Sequence, residues 1–130
     1  MSCYTKERDR EFYRAFLQAM RIPHISYEDA IDKAINSPTY RYWISADYLY
    51  RECLARERGY NWYPKRLNPR RKALYDELYS QLQRMKQGAF KGYSTYMLST
   101  IVVNQPAPGF FIEHRHAKLI IQKFRNNNAK

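Results

Sequence analysis

Two turns with the same Asn-x-Pro pattern interrupt the chain and limit the helices and strands beside them. Asn36 and Pro38 form one Asn-x-Pro turn, and Asn104 and Pro106 form a second. Proline has no backbone N–H and its ring blocks a continuing helix, so each turn must end the helix before it. Because the asparagine and the proline of the second turn repeat those of the first at one constant offset, they predict two halves with the same order of elements.

Helical periodicity accounts for most of the sequence around these turns. Apolar side chains recur every three to four residues in six segments, which predicts six helices. Ser26, with Asp29, and Ser45 are the expected N-caps of the second and third, and Asn68-Pro69 marks the start of the fourth. The β-branched end of the fifth segment also fits a strand. The predicted helices cover residues 5–20, 27–35, 46–58, 69–88, 94–103 and 113–124.

A short run of large aromatic and β-branched residues follows each turn. Tyr42, Trp43 and Ile44 form the first run, and residues 110–112 form the second. Each run is too short to be stable alone, so we expect the two to pair, with Ile44 near Ile112. The predicted fold class is therefore mainly α with a small two-stranded antiparallel ribbon, an α+β fold.

The order helix, helix, strand, helix thus occurs twice, which predicts a pseudo-twofold duplication within a single compact domain of residues 1–130. The predicted halves are residues 5–58 and 69–125, joined by a basic aromatic loop over residues 59–68. Residues 36–54 and 104–122 share three identities in nineteen positions, so the repeat depends mainly on the common order of elements.

A segment in the middle of the chain, "NPRRKALYDELY", and the two Asn-x-Pro-x-x-x-aromatic-aromatic-Ile units together carry a resemblance. The chain resembles, over about residues 10–124, a group of short, basic, uncharacterised proteins of gut anaerobes and their phages. Thr39 and Tyr40 replace the Ala-Pro pair of that group's motif, and Gly109 stands where the group often has a basic residue. The resemblance implies a mobile-element context and assigns no chemistry.

Positive charge is concentrated in the second part of the chain. Residues 1–53 hold eight basic and eight acidic side chains, whereas residues 54–130 hold fifteen basic against four acidic, within a net charge of +11. Such asymmetry points to a surface that faces a polyanion, with nucleic acid as the expected partner. The alternative is that lysine and arginine keep a tyrosine-rich surface soluble.

The segment from residue 56 to residue 72 is the best candidate for that surface, because basic and aromatic residues alternate in it. Cations neutralise phosphates, and exposed aromatic rings stack on unpaired bases. The alternative places the rings of Trp62 and Tyr63 in the core and has Arg70 or Arg71 bond a carbonyl or carboxylate within the fold. The outer side of the last helix adds two further basic residues. The predicted nucleic-acid-binding residues are Arg56, Arg58, Tyr60, Trp62, Lys65, Arg66, Arg70, Arg71, Lys72, Arg115 and Lys118.

No catalytic or metal-binding pattern is present in the sequence. His114 and His116 are two residues apart and would point to different sides of a helix, so they predict no metal site. Cys3 and Cys53 stand alone and are expected to be reduced thiols. We therefore predict neither an enzyme nor a cofactor.

Two functions remain open at this stage. The first is a small nucleic-acid-binding accessory protein, and the second is a structural or assembly component of a phage particle or another mobile-element complex. No apolar run approaches the length of a membrane span, and the N-terminus lacks a signal-peptide pattern. We expect a cytoplasmic location. If the gene belongs to a phage, this means the interior of the host cell, with association with the virion as the alternative. The choice between DNA and RNA and the oligomeric state stay open.

Overall fold

The computed structural model describes residues 4–59 and 69–128, and six α-helices form within these ranges. The mainly helical part of the predicted fold class is confirmed, and the ambiguous fifth segment is a helix. Within the described ranges, no helix has the length and apolar character needed to cross a membrane. The helices are α1 (Tyr4–Ala19), α2 (Tyr27–Ile35), α3 (Ala46–Glu57), α4 (Pro69–Gln87), α5 (Thr95–Val103) and α6 (His114–Asn128).

Serine and asparagine side chains set the ends of the shorter helices. The Oγ atoms of Ser26, Ser45 and Ser94 each accept a hydrogen bond from the backbone N–H three residues later, at 3.0, 3.2 and 3.2 Å. Such a cap stabilises a helix by about 1 kcal/mol. Asn36 and Asn104 end α2 and α5, and each side-chain amide donates to the carbonyl four residues earlier. The predicted caps at Ser26 and Ser45 are confirmed.

The predicted two-stranded ribbon is wrong, because the described residues contain no strand. Its place is taken by an isolated antiparallel bridge between Thr39 and Ala107, in which each residue donates to the other at 2.9 and 2.8 Å. These residues belong to the two Asn-x-Pro turns and precede the runs that were expected to pair. A single bridge between two turns does not extend into a ladder.

The first aromatic run bonds a helix end instead of a partner strand. The Tyr42 N–H donates to the carbonyl of Val103, the last residue of α5, at 2.9 Å. The buried guanidinium of Arg41 donates to the carbonyls of Tyr42 and Ile44 at 2.9 and 3.1 Å. Arg41 therefore occupies the acceptors that a partner strand would have used.

The second run is diverted in a similar way. The Phe110 N–H donates to the carbonyl of Ile35, the last residue of α2, at 2.9 Å. Phe111 has a φ of 54°, in the left-handed region, so the backbone cannot continue as an extended strand. Phe110 and Ile112 are buried, and Phe110 contacts Phe12 edge to face, whereas Phe111 is half-buried.

The helices fall into two compact units that each combine parts of both predicted halves. Unit 1 consists of Met1–Thr39 and Pro106–Lys130 and contains α1, α2 and α6. Unit 2 is Tyr40–Gln105 and contains α3, α4 and α5. Within each unit every helix contacts the other two. The third helix of each half therefore packs with the first two helices of the other half, and the duplication itself stays a prediction.

Unit 1 has a core of aromatic and β-branched side chains. Phe12, Phe16, Ile31 and Ile121 are fully buried, on α1, α2 and α6. Met20, which the spacing of α1 predicted to continue this stripe, follows the end of the helix and is exposed. The apolar stripe of α1 therefore ends one residue earlier, at the buried Ala19.

The core of unit 2 contains the fully buried Leu49, Leu78 and Leu98, and the side chain of Cys53 is also fully buried. Burial raises the pKa of Cys53 to about 12. The thiolate is the form that reacts with alkylating agents, so Cys53 should stay unmodified in the folded protein at pH 8. A Cys3→Ser variant treated with iodoacetamide, followed by mass spectrometry, should gain one adduct in denaturant and none without it. Rapid modification without denaturant would contradict this burial.

Candidate functional site

Unit 2 carries most of the excess positive charge of the chain. The stretch Tyr40–Gln105 includes twelve basic and five acidic side chains. Whether the basic side chains are available to a ligand depends on what the five carboxylates contact. All five carboxylates lie within the described residues.

Two of these carboxylates hold Arg56, which the sequence predicted to contact phosphate. Glu52 on α3 is completely buried, and Arg56 Nε donates to its Oε1 at 2.7 Å. Arg56 Nη2 donates to Asp76 Oδ1 on α4 at 2.8 Å, and Lys72 donates to the same carboxylate at 3.3 Å. Partial burial acts against ionisation of Asp76, but the two hydrogen bonds outweigh it and lower its pKa. Arg56 therefore joins α3 to α4.

The other three carboxylates also have partners within unit 2. Glu57 accepts a hydrogen bond from Lys86 at 2.8 Å, and Glu77 accepts one from the Gln81 side chain at 2.9 Å. Asp47 is hydrogen-bonded to Tyr96, and this contact raises the pKa of the phenol. Every acidic residue of unit 2 is thus engaged inside the unit.

Several arginines of unit 2 form no ion pair with a carboxylate in the described part of the chain, among them Arg51, Arg58, Arg70 and the exposed Arg84. Arg51 on α3 and Arg58 just after it are exposed, and Arg70 on α4 is half-buried. Their charges therefore remain uncompensated by carboxylates. Beside them, Arg71 lies over the ring of Tyr75 at 5.7 Å and is hydrogen-bonded to it.

Tyr48 connects the cations of α3 with those of α4. Arg51 is one turn after Tyr48, and its guanidinium lies 5.9 Å from the centre of the Tyr48 ring. Arg58 is two further turns along the same side of α3. Tyr75 on α4 lies close enough to Tyr48 for their phenols to interact electrostatically. The guanidinium of Arg71 lies over the Tyr75 ring. We refer to Tyr48, Arg51, Arg58, Arg70 and Arg71 collectively as the α3–α4 basic surface. Tyr48, Arg51, Arg70 and Arg71 belong to the first two turns of their helices, whereas Arg58 follows the end of α3.

The start of α4 adds to the positive potential of this surface. Its first turn contains Arg70, Arg71 and Lys72 and no acidic residue. The N-terminal end of a helix is itself positive, so an anion is attracted there and cations are disfavoured. A bound phosphate would relieve this repulsion.

The predicted binding residues fall into four groups. Arg58, Arg70 and Arg71 are on the α3–α4 basic surface, whereas Arg56 and Lys72 bond carboxylates inside unit 2. A further four lie outside the described residues, and two lie on α6 in unit 1. The four outside the described residues are Tyr60, Trp62, Lys65 and Arg66. The two on α6 are Arg115 and Lys118. Both are exposed, and the Lys118 ammonium donates to Glu28 at 2.8 Å.

Sequence reasoning missed two members of the surface, Tyr48 and Arg51. The spacing of Tyr48, Arg51 and Arg58 places all three on one side of a helix, and this signal was available before the structure. Composition does not indicate it, because residues 1–53 are neutral overall and the excess of positive charge lies after residue 53.

His114 has a packing role in unit 1. Its Nε2 atom lies 2.9 Å from a carboxylate oxygen of Glu28 and 3.4 Å from one of Asp32, so it links the start of α6 to α2. His116 is exposed. In the part of the chain that the structure describes, no group of three or more His, Cys, Asp and Glu side chains is arranged to hold a metal ion.

Comparisons with known proteins give no family for this chain. No protein-family model matches it, and neither the curated proteins nor the solved structures include a significant match. The chemistry of the α3–α4 basic surface is therefore the basis for assigning a function to this protein.

Proposed function

We propose that this protein is a small, non-enzymatic nucleic-acid-binding accessory protein that contacts phosphates through the α3–α4 basic surface. The observation that carries the proposal is how the charged side chains of unit 2 are bonded: three of its carboxylates bond arginine or lysine, and the other two bond neutral side chains. All five of its carboxylates are engaged internally, while Arg51, Arg58 and Arg70 have none in the described residues. Arginines without a carboxylate partner can neutralise phosphates and release the counterions that surround the phosphates.

Little sequence specificity is expected from such a surface. Contacts to phosphates fix the position of a protein on nucleic acid but carry no direct information about the bases. The partner can be DNA or RNA, since both present the same phosphates. We place this activity in the cytoplasm, where nucleic acid is accessible to an accessory protein.

Charge reversal on the surface is expected to flatten the salt dependence of binding. In the variant Arg51→Glu, Arg58→Glu, Arg70→Glu, the loss of three phosphate contacts should reduce the slope of log affinity against log salt by about 2. The slope is measured by fluorescence anisotropy with a labelled oligonucleotide over a series of NaCl concentrations. A slope equal to that of the wild type would show that the surface is assigned wrongly.

A matched control comes from unit 1. Lys6, Arg10 and Arg21 are exposed and form no ion pair among the described residues, so their replacement by glutamate changes the net charge by the same amount. This control should keep most of the wild-type slope. Equal effects of the two triple variants would mean that binding follows net charge alone, without a site in unit 2.

An assembly role is the second candidate, and one observation favours it. Leu17, Met20 and Ile22 are large apolar side chains at and just after the end of α1, with exposures of 46, 39 and 39%. Exposed apolar clusters often mark contacts between proteins. Light scattering and a pulldown after nuclease treatment test this role, since partners that survive the nuclease would favour assembly over nucleic-acid binding.

A further inference from the structure

We infer that the α3–α4 basic surface, together with Tyr96 of α5, binds single-stranded nucleic acid in preference to duplex, with Tyr48 and Tyr96 stacking on unpaired bases. This inference rests on the proposed function and adds the form of nucleic acid that is bound. It follows from two exposed rings: Tyr48 lies against the uncompensated cation of Arg51, and Tyr96 is held by other residues of unit 2.

Tyr48 combines an accessible ring with a cation. The side chain is 45% exposed in the first turn of α3, although a phenol ring has enough apolar area to be buried where the fold permits it. Arg51 lies over this ring at 5.9 Å, so a base that stacks near Tyr48 would bring its own phosphate within reach of a guanidinium. Stacking and charge neutralisation would therefore act on the same nucleotide.

Tyr96 offers a second exposed ring in unit 2. It is 48% exposed, it is hydrogen-bonded to Asp47, and Asp47 precedes Tyr48 in the chain. Tyr50 contacts the Tyr96 ring edge to face, with 5.4 Å between ring centroids. These two contacts restrict the ring before any ligand binds, so less side-chain entropy is lost when a base stacks on it.

The combination favours single strands for a physical reason. In a duplex the faces of the bases are covered by neighbouring base pairs, so a protein meets phosphates and groove edges. In a single strand the faces are free, and aromatic side chains beside a basic groove stack on them without regard to sequence. Cations alone would serve either form, whereas accessible rings contribute only to the single strand.

The test compares affinities for a labelled oligonucleotide of mixed sequence and for the same oligonucleotide in duplex form, at one low salt concentration. The wild type should bind the single strand at least tenfold more tightly. The variant Tyr48→Leu, Tyr96→Leu keeps apolar bulk without a ring. Its affinity for the single strand should be at least about tenfold lower than that of the wild type, since stacking of one base on an aromatic ring contributes about a factor of ten to affinity. Its affinity for duplex and its salt slope should not change.

Two further variants separate the inference from the proposed function. Tyr48→Phe, Tyr96→Phe keeps both rings, although residue 96 loses its hydrogen bond to Asp47, so it should keep most of the single-strand affinity. If the leucine variant binds the single strand as tightly as the wild type, while the Arg51, Arg58 and Arg70 reversals still flatten the salt slope, the stacking inference is overturned and the proposed function stands. If the wild type binds neither form, both are overturned.

Discussion

Replacing Arg56 with methionine is expected to lower the free energy of unfolding by about 3 kcal/mol, because it leaves the buried carboxylate of Glu52 without its guanidinium partner. A buried charge that loses its counter-charge keeps the cost of desolvation and no longer gains the compensating attraction. The measurement is urea unfolding followed by circular dichroism at pH 7. Methionine preserves much of the apolar length of the arginine side chain, so the effect reports mainly on charge.

Two control variants identify the source of this loss. Adding Glu52→Gln to Arg56→Met removes the buried charge and should recover a large part of the lost stability. Asp76→Asn breaks only the half-exposed side of the network and should cost less than about 1 kcal/mol. If Arg56→Met alone is as stable as the wild type, the Arg56–Glu52 contact is not a structural ion pair, and Arg56 would return to the list of candidate phosphate ligands.

Gly109→Ala is expected to destabilise the protein by about 2 kcal/mol, because the new methyl group would overlap the end of α2. A Cβ atom at Gly109 would lie 2.9 Å from the carbonyl oxygen of Ile35. The same oxygen accepts the hydrogen bond from Phe110 at 2.9 Å, so the backbone cannot move away without weakening that bond. Urea unfolding again provides the free energy.

Gly88→Ala is the matched control for this substitution. The nearest atom to a Cβ atom at Gly88 is the Arg84 carbonyl oxygen at 3.5 Å, an ordinary van der Waals distance. This variant should stay within about 0.5 kcal/mol of the wild type. Equal stabilities of Gly88→Ala and Gly109→Ala would contradict the close approach of the second turn to α2.

The helices were predictable because local interactions determine them. Ser26 can cap α2 through the N–H of Asp29 whatever the rest of the chain does, and the asparagine and proline residues of each turn stop a helix without help from distant residues. The ribbon was not predictable in the same way. The N–H of Tyr42 finds its acceptor on Val103, and no pattern near Tyr42 in the sequence indicates that partner.

The candidate site shows the same division between local and distant effects. Sequence composition identified an excess of arginine and lysine after residue 53, but it could not identify which of them are compensated. Arg56 was a strong candidate in sequence and is held by Glu52, one turn away, and by Asp76 on the next helix. Arg51 belongs to the more neutral part of the chain and remains without a carboxylate in the described residues.

By itself, the sequence determined five of the six helices, the N-caps Ser26 and Ser45 and the excess of positive charge, because each of these depends on residue types and on spacings of a few residues. Only the tertiary structure decided that α6 packs with α1 and α2, and that α3 packs with α4 and α5. It also decided which arginines are compensated by carboxylates and which tyrosines stay exposed. Burial and ion pairing depend on distances between residues far apart in the chain, and those distances exist only after the helices have packed.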